Sequence, residues 1–278
     1  MRLSKPVFCS MQALDEAIQE RQNGTNRAFF NNISAEWRLR VSIYVTHGGA
    51  PNLVPTWPAI ADHKIKFLNL YDYPAEESSQ GIMLKHLRDE HLLRLCPACG
   101  DIGSPTTLDH YLPKAKYPHF SIIPANLSPM CTKCQGLKGE KTGSKKEPQF
   151  FIHPYFHKFT EFQILTLKIL PPFNQPSFTL GPHPRWTGWR LKLIISHMRE
   201  LKIEQRFVNF FKAENIRLIR NSSIRRRKGQ DVLDAIESKC EELEYPTRNA
   251  WEYIFYSSVL ENEELIEYLL NEELPKYP

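Results

Sequence analysis

Apolar residues recur at helical spacing near the start of the chain. Met11, Leu14, Ala17 and Ile18 fall three and four apart, with Asp15, Glu16 and Glu20 on the other face, which predicts an amphipathic helix. A second helical stretch is expected from about Ala35 to Val45. Pro51, Pro55 and Pro58 then break the chain before Ile65–Leu70. Residues Ile82–Leu95 read as a further helix with Leu84, Leu87 and Leu92 as its stripe, leading into a cysteine pair. Past residue 155 the pattern changes. Phe162–Leu170 is strand-like, with Ser177–Leu180 as a possible partner. From Trp189 onward helical spacing dominates: Phe207, Phe211, Leu218 and Ile219 mark a buried face, while Arg217, Arg220 and Arg225–Lys228 mark a basic one. The segment Glu261–Glu273 is acidic and amphipathic. There is no internal repeat and no low-complexity linker.

Between these regions, residues 96–155 are rich in Pro, Gly, Cys and Lys and poor in periodicity. Such a segment lacks the apolar mass to fold alone, so something else must nucleate it. The organisation expected is therefore a mainly helical region over 1–93, a small core over 94–155, and a mainly helical region over 156–278 that starts with a strand pair. The fold class is α+β.

Composition changes this picture little. Of 278 residues, 41% are hydrophobic and 24% charged, which is ordinary globular composition. A net charge of +5 is a mild bias toward polyanionic partners. The start, MRLSKPVFCSMQ, has no apolar h-region, and the longest apolar stretches, such as Leu191–Ile195, are too short to span a bilayer. Cytoplasmic residence and no membrane partner are the expectation, and in a reducing compartment paired cysteines point to metal rather than disulfides.

Cys96-Pro-Ala-Cys99 and Cys131-Thr-Lys-Cys134 are two CxxC knuckles. Zinc takes four ligands in a tetrahedron, and each CxxC turn brings two thiolates to one point. A single CxxC is equally a redox pair; two together point to one structural zinc ion, with no position left for water. Cys9 and Cys240 have no nearby partner and read as small apolar residues.

Between the knuckles lie Thr107-Leu108-Asp109-His110-Tyr111-Leu112-Pro113-Lys114, then Tyr117-Pro118, then Asn126-Leu127; Gln135 and Lys138 follow the second knuckle. This order resembles the HNH endonucleases with a zinc clamp: a CxxC knuckle, an Asp-His pair ending a strand, an Asn-Leu on the return strand, and a second CxxC opening a helix. The resemblance covers roughly residues 94–155, about a fifth of the chain. It implies a zinc-stapled ββα-metal core that hydrolyses DNA phosphodiesters with Mg²⁺ or Mn²⁺. By that resemblance Asp109 binds the catalytic metal, His110 is the general base and Asn126 ties the loop by hydrogen bonds; Lys114, Lys116 and Lys138 are plausible phosphate contacts.

The chemistry is coherent in itself. A histidine with a pKa of about 6.5 can take a proton from water at neutral pH, and a hard divalent ion needs one carboxylate plus water and phosphate oxygens. Asp109 and His110 are adjacent, so on a regular strand they would point to opposite faces, and the pair requires a bend after it. Each residue also has a plainer reading. Asp-His can be a surface pair or a satisfied core histidine, Asn126 a turn cap, the lysines a solvated face.

One departure stands out. The family usually places Asn or His directly after the second knuckle, and this chain has Gln135. Its amide oxygen can bind Mg²⁺ with altered geometry. His153, in Phe151-Ile152-His153-Pro154-Tyr155, is the alternative ligand, or else a packing histidine.

The fuller wording, DHYLPK…YP…NL…C..C…K…HPY, with HMRELKIEQRF at His197–Phe207, is similar to a narrower group of HNH effectors in bacterial anti-phage systems, the Septu-type and retron-associated nucleases. That similarity implies a bacterial protein with an ATPase partner. Arg225–Lys228 is either a nucleic-acid clamp or a solvated helix face, and the acidic tail either docks on a partner or folds back on the basic stretch. The rival to an enzyme is a zinc-ribbon-like adaptor for nucleic acid or protein, with Gln135 its main support; RNA is the alternative substrate.

Overall fold

A computed structural model describes residues 1–277. The chain is 51% helical and 8% strand, an α+β protein. It divides into two units. One comprises residues 2–98 and 103–158; the other comprises 159–277 together with Met1 and 99–102. Among the described residues no helix is long and apolar enough to cross a membrane.

In the first unit, α1 (Ser10–Gln19) buries Ala13, Leu14, Ala17 and Ile18, the stripe the spacing predicts. Helix α2 (Arg27–Thr46) begins well before Ala35. Asn31, Asn32 and Ser34 are weak helix formers and mask its first turns in the sequence. Burial compensates: Phe30 stacks on Trp37 with centroids 5.7 Å apart, and both rings pack on Phe67 of α3 (Lys64–Asp72).

Helix α4 (Ser79–Asp89) starts on Ser78, whose side chain accepts the Gly81 N–H, and it stops before the expected Leu95. Leu92 is not part of its stripe. Its φ is +53° and it is 92% exposed, because the chain turns away there toward the first knuckle. The turn is held by His91, whose Nδ1 accepts from Leu93 N–H at 2.9 Å and whose Nε2 donates to the Pro105 carbonyl at 3.0 Å. Strands β1 (Thr107–His110) and β2 (Leu127–Met130) pair antiparallel, with Asp109 opposite Ser128 and His110 opposite Leu127. Helix α5 (Thr132–Lys138) follows directly and packs on β1.

The second unit opens with β3 (Leu165–Leu170) and β4 (Ser177–Pro182), antiparallel from Leu165↔Pro182 to Leu170↔Ser177. Leu165, Leu167 and Ile169 alternate inward. They meet α9 (Trp251–Leu260), where Ser258 Oγ accepts the Leu167 N–H at 3.1 Å. Helices α6 (Gly188–Glu200), α7 (Ile203–Arg227) and α8 (Val232–Leu243) surround this core, and Phe207, Phe211, Leu218 and Ile219 of α7 are buried as expected. The acidic segment forms α10 (Glu263–Asn271) and folds back on the basic stretch. Arg226 Nη1 donates to the carbonyls of Leu269 at 3.3 Å and Glu272 at 2.7 Å, so a cation meets the carbonyl end of that helix.

Candidate metal and catalytic centre

The four knuckle cysteines come together. The Sγ atoms of Cys96, Cys99, Cys131 and Cys134 all lie within 4.8 Å of one another. A tetrahedral ion with Zn–S of about 2.3 Å needs sulfurs about 3.8 Å apart, so the group can hold zinc with little adjustment. Backbone amides already point at the sulfurs. Cys131 N–H donates to Cys96 Sγ and Cys134 N–H to Cys131 Sγ, each at 3.4 Å. Such bonds favour the thiolate form that zinc requires.

Around Cys99, Arg206 Nη2 donates to its Sγ at 3.4 Å and Trp251 Nε1 donates to its carbonyl at 2.6 Å. The next residue has to be glycine: Gly100 has φ +79°, and a Cβ there would lie 2.1 Å from the Asn249 carbonyl oxygen. Sequence reading did not single out Arg206, since a lone arginine on a helix carries no metal-site signal.

On β1, Asp109 and His110 are both buried, at 5% and 8% exposure. The strand is covered on both faces, so both side chains find protein around them. His110 Nε2 lies 2.9 Å from the Ser121 carbonyl. A carbonyl only accepts, so Nε2 carries the proton and Nδ1 keeps the lone pair. Among the described residues nothing hydrogen-bonds Nδ1. Burial pushes the His110 pKa down to about 3, keeping the ring neutral. The ring of Tyr71 stands edge-on to the imidazole at 4.4 Å, and its hydroxyl donates to the Leu108 carbonyl at 3.2 Å.

Asn126 holds the loop that carries Ser121. It is fully buried; its Oδ1 accepts from Leu112 N–H at 2.8 Å, and its Nδ2 donates to the carbonyls of Leu112 and Phe120, both at 3.1 Å. Its own carbonyl accepts from Tyr111 N–H at 2.8 Å. The return strand and the bend after His110 are therefore one hydrogen-bonded unit.

Comparison with known proteins adds one relative. The chain is 48% identical over 64 residues to Protein ea31 of Escherichia phage lambda, a stretch that is 23% of this chain. It spans about a fifth of that curated relative, 21% of its length. No family model matches, and no solved structure does.

The remaining predicted site residues are placed as follows. Gln135 is half-buried on α5, and its Nε2 donates to the Leu108 carbonyl at a long 3.4 Å, leaving Oε1 without a hydrogen bond beside β1. Lys114 is paired with Asp72 and lies 4.7 Å from the Tyr71 ring. Lys116 is exposed and donates to the Glu140 carbonyl at 2.9 Å.

Burial bears on the two remaining residues. Lys138 does not face solvent where a phosphate would sit. It is 1% exposed, with its Nζ 2.6 Å from the His110 carbonyl and 3.1 Å from Asp109 Oδ2. His153 is not open to a metal. It is fully buried, its Nδ1 accepts from Tyr155 N–H at 3.2 Å, and its Nε2 meets the Tyr44 hydroxyl at 3.0 Å. With both nitrogens engaged it is a packing histidine, and burial holds its pKa well below the usual value.

Two oxygens beside β1 carry no hydrogen bond. Asp109 Oδ2 is a buried acceptor with no hydrogen bond, since the nearby ammonium is off the required line. Gln135 Oε1 likewise has no hydrogen bond, and carboxylate and amide oxygens are the ligand types that hard divalent cations take. Tyr71, Asp72, Ser121 and Tyr44 were not foreseen as neighbours of this centre. Three of them come from α2 and α3, far upstream, and no local pattern marks them.

Proposed function

We propose that the first unit is an HNH-type, metal-dependent endonuclease core that hydrolyses DNA phosphodiesters. The observation that carries this reading is the pairing, at the end of β1, of a neutral His110 whose Nδ1 is free with a buried Asp109 carboxylate. A strand–loop–strand–helix built on two CxxC turns supports it. In this reading His110 Nδ1 takes the proton from the attacking water. Ser121 fixes the tautomer that makes Nδ1 the base, and Asn126 fixes Ser121. Asp109, helped by Gln135 Oε1, would hold a Mg²⁺ or Mn²⁺ ion, whose chemistry is charge relief on the scissile phosphate and on the leaving oxygen. Lys114 and Lys116 would position the DNA backbone without reading its sequence. The similarity to Septu-type and retron-associated effectors extends the proposal to a bacterial cytoplasmic nuclease acting beside an ATPase in anti-phage defence.

A zinc-stabilised binding module without catalysis is the second reading, favoured by one observation: the Lys138 ammonium is seated on the Asp109 carboxylate. Plasmid cleavage separates the two. Wild type and His110→Ala are incubated with supercoiled DNA and Mg²⁺ or Mn²⁺, with and without any ATPase encoded beside the protein. The nuclease reading expects nicking or linearisation by wild type and a loss of at least about 10²-fold in the variant, with zinc content unchanged. Absence of cleavage in every condition, with RNA also tried, would establish the binding module.

A further inference from the structure

Lys138 is the most fully buried lysine in the first unit's core, and its surroundings are those of a cation site. Besides the His110 carbonyl at 2.6 Å, both Asp109 oxygens are near its Nζ, Oδ2 at 3.1 Å and Oδ1 at 3.3 Å, and the Phe151 ring centre is 5.9 Å away. An ammonium is seldom buried unless its charge is matched. Here one carboxylate matches it, and that carboxylate has no other charged partner in an ion pair among the described residues. Helix geometry sets the arrangement. Gln135 and Lys138 are three residues apart on α5, so they share the face that packs on β1. The lysine at the end of that face reaches the carboxylate, while the glutamine reaches Leu108.

We propose that Lys138 is the resident counter-ion of Asp109, which a divalent ion displaces on binding, so that this lysine sets the metal affinity of the site. The proposal rests on the reading of Asp109 as a metal ligand. Two cations on one buried carboxylate repel each other, so the ion must move the ammonium away or bind weakly. Lys138 is thus a positioning residue: it keeps the desolvated carboxylate aligned while no ion is bound.

The test uses the full, zinc-loaded chain. Mn²⁺ binding is measured by calorimetry at pH 8 for wild type, Lys138→Met, Lys138→Arg and Asp109→Asn. Lys138→Met is expected to bind Mn²⁺ at least tenfold tighter than wild type, Lys138→Arg to stay within a few-fold of it, and Asp109→Asn to lose binding. In ¹⁵N-lysine-labelled wild type, the protected Lys138 ammonium resonance is expected to shift or vanish as Mg²⁺ is added. An affinity for folded Lys138→Met equal to or weaker than wild type, with Asp109→Asn still abolishing binding, overturns the proposal and leaves Asp109 a metal ligand. No Mn²⁺ binding by any folded protein overturns both. If Lys138→Met fails to fold, the wild-type titration decides: a Lys138 resonance unmoved at saturating Mg²⁺ refutes displacement.

Discussion

Replacing Asn126 by alanine should loosen the bend that follows His110 without touching the zinc quartet. The side chain makes three hydrogen bonds, at 2.8, 3.1 and 3.1 Å, all in a fully buried setting. Each is worth about 1 kcal/mol net, and the deletion strands the Leu112 N–H and two carbonyls away from water. The local cost is therefore about 3 kcal/mol, enough to raise the opening of this segment about 10²-fold. Hydrogen exchange followed by mass spectrometry reads this directly, since the Leu112 amide loses its acceptor. Residues 111–126 should exchange about 10²-fold faster, while peptides from α7 and α9 keep their rates and zinc stays bound. Asn126→Asp is the stringent partner variant. It keeps the acceptor for Leu112 N–H but sets a carboxylate oxygen against the carbonyls of Leu112 and Phe120, so it should be no better than alanine. Exchange in the segment within about threefold of wild type for Asn126→Ala would refute the view that this side chain ties the bend.

Two further predictions concern metal and pH. Purified protein should contain one zinc per chain, and Cys131→Ser or chelation should lower that content well below one and reduce the melting temperature; full zinc in the variant would refute the quartet as its site. Acid should weaken the first unit, because the buried His119 and the half-buried His157 are held neutral, with pKa values pushed down by desolvation to about 3 and about 4. The unfolded chain takes up these protons near pH 6.5 and the folded chain does not, so this stability is whole above 6.5 and is lost as pH falls toward about 4 for His157 and about 3 for His119. The slope is about 1.4 kcal/mol per histidine per pH unit within that window. His119→Phe should flatten the fall in urea-denaturation midpoints between pH 6.5 and 4.5, and an unchanged slope would exclude that histidine as its source.

What the sequence discloses and what it withholds follow from the range of the interactions. Helix α1 and the pairing of β3 with β4 were legible because their burial follows the local period: Leu14 and Ala17, or Leu165 and Leu167, announce a face by spacing alone. The cysteine quartet was legible because CxxC is a local geometry. The first turns of α2 were not, since Phe30 is justified only by Trp37 and by Phe67 of another helix. The same holds at the centre. Asp109, His110 and Asn126 could be picked from their order, but Tyr71 and Ser121 bear on His110 only through the fold. Burial is what the sequence does not disclose at Lys138 and His153. A lysine is ordinarily solvated and a histidine beside a motif can serve as ligand or as packing, and in both cases burial decides.

The segment between β1 and β2 is built unlike an ordinary loop. Leu112, Phe120, Ile122, Ile123 and Asn126 are all fully buried within it. The chain is exposed at Lys116, but an inserted residue between Tyr117 and Asn126 would have little solvent to bulge into and would shift Ser121 relative to His110. The stretch from Gly139 to Gln149, by contrast, is mostly exposed. Length differences among homologous chains should therefore accumulate after α5, along with any adaptation to new substrates. The span from Tyr117 to Asn126 should keep a constant residue count even where its letters drift.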